Sequence, residues 1–170
     1  MSGVSIATGV IATDALGGGT GRGLQSPGVL AQSGASTSVT GTVSKTALAT
    51  ITIPGGMLGA NGIIRIIPLF SYTNSANNKT LSTELNGTAV VSAVVTTTAD
   101  DQFIIIYRAA NSTTAQKYYV GGTGIGPIAS AIGTAAINTA NDVILTISGT
   151  LANTGETITL EAYTVEILNP

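Results

Sequence analysis

From about Val43 onward, turn residues cut the sequence roughly every ten positions into short runs rich in Thr, Ile and Val, with no sustained helical period between them. Such a chain is built from antiparallel strands. Lys45 to Ile53 is the first run, ended by Pro54, Gly55 and Gly56, and Asn61 and Gly62 open a denser one from Ile63 to Ser71. Lys79 to Leu85 and Thr88 to Val95 flank Asn86 and Gly87, the pair a type I′ hairpin prefers because both central positions need positive φ. Gln102 to Ala109 and Ala115 to Val120 flank the polar loop Asn111 to Thr114 as a second hairpin, and Ile128 to Ala140 reads as loop or short helix. Val143 to Leu151 alternates with Val143, Leu145 and Ile147 on one face, and Thr157 to Leu168 follows the turn at Asn153 to Gly155. About eight such strands predict an all-β protein, an antiparallel jelly-roll-like β-sandwich.

Several of these strands are apolar on both faces. Ile63, Ile67 and Leu69 lie on one side of the second run and Ile64, Ile66 and Phe70 on the other; Phe103, Ile105 and Tyr107 oppose Ile104 and Ile106 in the same way. A free sandwich keeps the outer face of an antiparallel strand polar, so a second cover is expected. In the last strand the apolar face switches from Ile158, Leu160 and Ala162 to Tyr163, Val165 and Ile167. Either a bulge near Ala162 re-aims the chain, or its halves contact different bodies. Arg65 shares a face with Ile63, Ile67 and Leu69, and is either an exposed sheet-edge residue or the partner of Glu161 or Glu166 across an interface.

Residues 1 to 41 differ in kind. They hold ten of the 22 glycines, among them Gly17, Gly18 and Gly19, and no sustained apolar period. They are expected to form an extended arm, with residues 42–170 as the sandwich. Ordering about 40 residues costs on the order of 40 kcal/mol, equivalent to ~1,600 Å² of apolar burial at ~25 cal/mol per Å². If the arm is ordered at work, neighbouring subunits are the expected source of that burial.

The composition removes most chemistry. Without Cys or His there are no disulfides, thiolate or imidazole metal sites, or His-based triads. Charged residues make up 8% of the chain and the net charge is −2, so neither nucleic acid nor an anionic membrane is an expected partner. No apolar run approaches the roughly 20 residues of a membrane-spanning helix, and the N-terminal residues lack the cationic start of a secretory signal. The glycines from Gly17 to Gly23 lack the Lys and Ser or Thr that close a phosphate loop; Gly124, Gly126 and Ala129 lack a βαβ setting. Asp100 and Asp101 read as a solvated turn, and Lys45, Lys79 and Lys117 show no spacing that pairs them with a nucleophilic Ser. Glu161 and Glu166 point to opposite faces of a regular strand, and would converge for glycoside hydrolysis only through a bulge. Neither an enzyme nor a cofactor is expected.

Three stretches carry a resemblance: LATITIPGGMLGANGIIRI (Leu48 to Ile66), NSANNKT leading to LNGTAV (Asn74 to Val90), and ETITLEAYTVEIL (Glu156 to Leu168). In their order the chain resembles the jelly-roll accessory proteins of tailed-bacteriophage virions, the head decoration or cement proteins and the heads of short fibres. The resemblance spans about three quarters of the chain from Thr40 to Pro170 and implies a homotrimer on the capsid exterior, contacting the major capsid protein or other virion subunits. It implies no catalytic residues. The expected role is that of a structural decoration protein stabilising joints between capsomers; the alternative is a receptor- or glycan-binding fibre head using Tyr118 or Tyr119. The candidate partner contacts are Gly17, Gly18, Gly19, Arg22 and Leu24 in the arm, and Arg65, Tyr163 and Glu166 in the sandwich.

Overall fold

The computed structural model describes residues 28–98, 100–121 and 132–168. None of these residues is helical, and their strands form two antiparallel sheets packed as a sandwich. The larger sheet has eight strands: β1 (Gly28–Ser33), β2 (Thr37–Thr40), β4 (Ile63–Tyr72), β7 (Asp100–Gln102), β8 (Ile104–Ala109), β9 (Gln116–Gly121), β10 (Gly133–Ala135) and β12 (Thr157–Leu168). The smaller has four: β3 (Thr46–Ile53), β5 (Lys79–Leu85), β6 (Thr88–Val95) and β11 (Val143–Leu151).

Nested order identifies the fold. Strands β2, β12, β4 and β8 lie side by side in one sheet, and β3, β11, β5 and β6 in the other. The chain therefore crosses between sheets after β2, β3, β4, β6, β10 and β11, the path of a jelly roll. The β9–β10 hairpin extends the larger sheet by two strands.

Strand periodicity supplies the core. Ile64, Ile66 and Phe70 of β4, Ile105 and Tyr107 of β8 and Val165 of β12 face Leu81, Leu85, Leu145 and Ile147 of the smaller sheet, all essentially inaccessible. Gly149 lets the sheets approach, since a Cβ there would lie 3.2 Å from the side chains of Ile158 and Val39. The hairpin between β5 and β6 turns as expected, with Asn86 at φ 47° and Gly87 at φ 76°.

The face switch in β12 is a bulge. Leu160 opposes Phe70 and Ala162 opposes Leu69, so Glu161 is the extra residue. The expectation of a re-aimed strand holds, and Tyr163, Val165 and Ile167 return to the inner face.

Two expectations need correction. Residues 28–40, assigned by composition to the arm, carry β1 and β2, both paired with β12. Their Ser, Thr and Gly content hid them because hydrogen bonding to an existing strand, more than side-chain burial, holds them: β2 buries only Val39. The rest of the arm lies outside the described residues. The described part of Ile128 to Ala140 contains no helix but a short strand, β10, and a turn. Pairing with β9 decides its conformation.

Candidate functional site

Strand register organises the outer face of the larger sheet into rows. One runs Val29, Glu166, Arg65, Ile106, Tyr119 across β1, β12, β4, β8 and β9. The row beside it carries Gln32, Thr164 and Ile67, and the next in the other direction carries Leu168, Ile63, Arg108 and Lys117. Leu69 and Ile104 complete an apolar surface, at 37% and 38% exposure, although both belong to strands whose other face is core. Five strands by seven residues outline on the order of 500 Å² of sheet, which the apolar side chains share with Gln32, Thr164, Arg65, Glu166, Arg108 and Lys117.

Arg65 and Glu166 meet at the middle of this surface, Nε donating to Oε2. Sequence reasoning offered Glu166 as a partner across an interface; it sits instead on the adjacent strand of the same chain, directly opposite Arg65. With the Arg65 side chain 39% exposed, solvent screens the pair, and its contribution to stability is at most about 1 kcal/mol. Tyr163 faces inward opposite Pro68 and packs against the core, away from this surface. Gly17, Gly18, Gly19, Arg22 and Leu24 lie outside the described residues.

The ends of the face differ in charge. Arg108 and Lys117 stand directly opposite each other on β8 and β9, both exposed. Neither forms an ion pair among the described residues. At the other end, Ser71 lies opposite Asp100 on one side and donates its hydroxyl to Glu161 on the other. The partners of Glu161 and Glu166, Ser71 and Arg65, are six residues apart on β4, about 20 Å along a strand. This exceeds the roughly 5 to 10 Å that glycoside hydrolysis needs, so the bulge does not bring the two carboxylates together.

Four of the five tyrosines are committed to the interior. Tyr72 and Tyr107 are buried, Tyr118 stacks on Tyr107 at 6.2 Å between ring centroids, and Tyr163 packs on the core. Tyr107 donates to Gln116 Oε1 at 2.9 Å, and burial pushes its phenol well above the usual range. Of the five tyrosines, Tyr119 shares the outer face, since it lies opposite outward Ile106 while its neighbour Tyr118 lies opposite Tyr107.

A polar cluster missed by sequence reasoning closes one end of the sandwich. Lys79, fully buried, donates to Ser75 Oγ at 3.0 Å and to the carbonyl of Asn77 at 2.7 Å, with Glu156 Oε2 3.5 Å away. Glu156 accepts from the Ser75 hydroxyl and from Asn77 Nδ2. These hydrogen bonds, and then the Lys79 charge, hold its carboxyl below the ordinary value. Ser75 and Lys79 do touch, but the serine proton is directed at Glu156, so the cluster fastens the β4–β5 loop to the β11–β12 turn. The alternation of β5 was the available signal: Lys79 shares the inner face with Leu81, Thr83 and Leu85.

Among the described residues no group of Asp and Glu is arranged to hold a metal ion. No protein-family model matches the chain, and no curated protein matches it. Two solved structures show distant similarity. The dimeric latent PorU from Porphyromonas gingivalis aligns over 76% of this chain and 10% of its own length, at 13% identity and a TM-score of 0.41. A chain in the structure of infectious bursal disease virus, Gx strain, aligns over 100% of this chain and 47% of its own, at 14% identity and a TM-score of 0.32. The chain thus spans a minor part of both, and similarities this distant carry no argument about function.

Proposed function

We propose that this protein is a structural virion protein. In this reading a jelly-roll subunit associates with copies of itself through the outer face of its larger sheet, and decorates a capsid exterior, where added buried area stabilises joints between capsomers. The observation that carries the proposal is the outer face itself, where Ile63, Ile67, Leu69, Ile104 and Ile106 stand where a solitary sandwich would place polar side chains. The activity is mechanical and asks nothing of catalytic groups. The placement of the tyrosines favours decoration over a glycan-binding fibre head, because sugar recognition of the usual kind needs accessible aromatic faces and four of the five are spent on the core.

Sedimentation equilibrium of the purified full chain tests the first half: an oligomer is expected at micromolar concentration, and a monomer would overturn the reading. Immunogold labelling of intact particles tests the second, with label expected over the shell; label confined to fibres would favour the alternative. A truncation probing the arm should remove residues 2–27 only, because residues 28–40 supply two strands of the larger sheet. The shortened chain is expected to stay folded and to lose attachment to shells.

A further inference from the structure

We infer that two copies of this chain pair face to face through the larger sheet about a two-fold axis, with strands antiparallel across the contact, so that the basic end of each face meets the acidic end of the other. The inference rests on the reading of this face as the subunit contact and adds its symmetry, register and charged partners.

Two like charges placed directly opposite on adjacent strands repel. Arg108 and Lys117 are so placed, without an acid partner among the described residues. The opposite end carries the reverse arrangement: Asp100 and Glu161 flank Ser71 from β7 and β12. Both pairs lie on the outer face, because Arg108 opposes outward Ile63 and Asp100 opposes outward Ser71. From Ile63 to Ser71 is eight residues, about 26 Å along a strand. That is several times the ~8 Å screening length at physiological salt, so the two ends do not neutralise each other within one subunit.

A two-fold axis perpendicular to the strands and lying in the interface exchanges the ends. It sets Arg108 of one copy over Asp100 of the second, twice, with the apolar rows between them stacked; Lys117 and Glu161, on β9 and β12, stay three strands apart and add to the charge of their ends without facing each other. Ile67, midway between Ile63 and Ser71, lies at the axis. Parallel stacking would instead put cations on cations and carboxylates on carboxylates at a cost of several kcal/mol. Arg65, already matched by Glu166, brings no net charge to the centre. The outer face of the smaller sheet also exposes Ile144 and Val94 among its threonines, but its charges, Glu84 and Lys45, are paired with each other, so it has no basic and acidic ends.

Charge reversal in the full chain gives the test. Arg108→Glu with Lys117→Glu makes both ends acidic, and Asp100→Lys with Glu161→Lys makes both ends basic. Each variant alone is expected to lose self-association on the order of 100-fold by sedimentation equilibrium. Mixing the two, or combining all four changes in one chain, is expected to restore it. Should the Glu161 change lower the melting temperature, Asp100→Lys alone serves as the basic variant. If the native chain associates and both variants do so equally well, or if mixing restores nothing, this register is overturned while self-association stands. A native chain that is monomeric overturns both readings.

Discussion

The two sheets of this sandwich share one core and present different characters to the outside. On the smaller sheet the outward residues of β3, β11 and β5 are largely Thr, Ser and Ala, with Ile144 of β11 and Val94 of β6 as single apolar residues on that face, at 39% and 61% exposure. On the larger sheet, β4 carries Ile63, Ile67 and Leu69 outward, and β8 carries Ile104 and Ile106. Threonine satisfies β propensity and solvation together, whereas isoleucine satisfies only the first. The two outer faces therefore differ in how apolar residues are grouped: clustered over two adjacent strands on the larger sheet, scattered among hydroxyls on the smaller.

Neighbouring residues of β4 sharpen this contrast most. Ile66→Ala removes a fully buried side chain and is expected to cost about 2 to 5 kcal/mol in urea unfolding, whereas Ile67→Ala, facing outward, should leave a dilute monomer within about 1 kcal/mol of native. Equal losses would mean that the outer face is covered within one chain. Next in size, Ile67→Lys is expected to weaken self-association at least about tenfold, the equivalent of ~1.4 kcal/mol, while Thr50→Lys and Thr146→Lys on the other sheet leave it unchanged. Matching effects from the two sheets would erase the distinction.

The clamp at the end of the sandwich belongs to neither outer face and serves as an internal control. Lys79→Met strands the Glu156 carboxylate, so it should lower the melting temperature more than the double change Lys79→Met with Glu156→Gln. Because the folded state holds the Glu156 carboxyl below its ordinary value, its contribution is present above the unfolded-state value and fades as pH falls through the folded one. Glu156→Gln should flatten that acid loss in a comparison of melts between neutral pH and the acidic end of the carboxylate range. Asp101, pushed up by burial, contributes with the opposite sign, which is why the comparison must be made against the Gln variant. The smallest effect is expected from Arg65→Met in a dilute monomer: at most about 1 kcal/mol of stability, shrinking further at high salt. A larger or salt-independent loss would show that the pair is shielded from solvent by something beyond the single chain.

Much of the fold was legible along the chain because β structure writes itself in a two-residue period. The runs at Lys79 to Leu85, Thr88 to Val95, Val143 to Leu151 and Thr157 to Leu168 coincide with β5, β6, β11 and β12. Asn86 and Gly87 revealed their turn because few residues tolerate positive φ. The parity change in the last strand left a bulge near Ala162 or contacts with two bodies as alternatives, and the register with β4 decides for a bulge, at Glu161. Less was legible where strands are short and polar. β1 and β2 bury little, β10 has three residues, and pairing with a neighbour defines all of them. The apolar outer face was readable as two-sided strands, but its charged ends were not, since Asp100 and Glu161 meet around Ser71 only after three strands align.

The sequence by itself determined which segments become strands, where several of them turn, and that some would be oily on both sides, because these follow from interactions among near neighbours along the chain. Tertiary structure alone decided which residues meet. Arg65 finds Glu166 across 101 positions and Asn77 finds Glu156 across 79, contacts set by sheet order and register. Local propensity carries no record of such pairings, because they exist only once distant strands have been laid side by side.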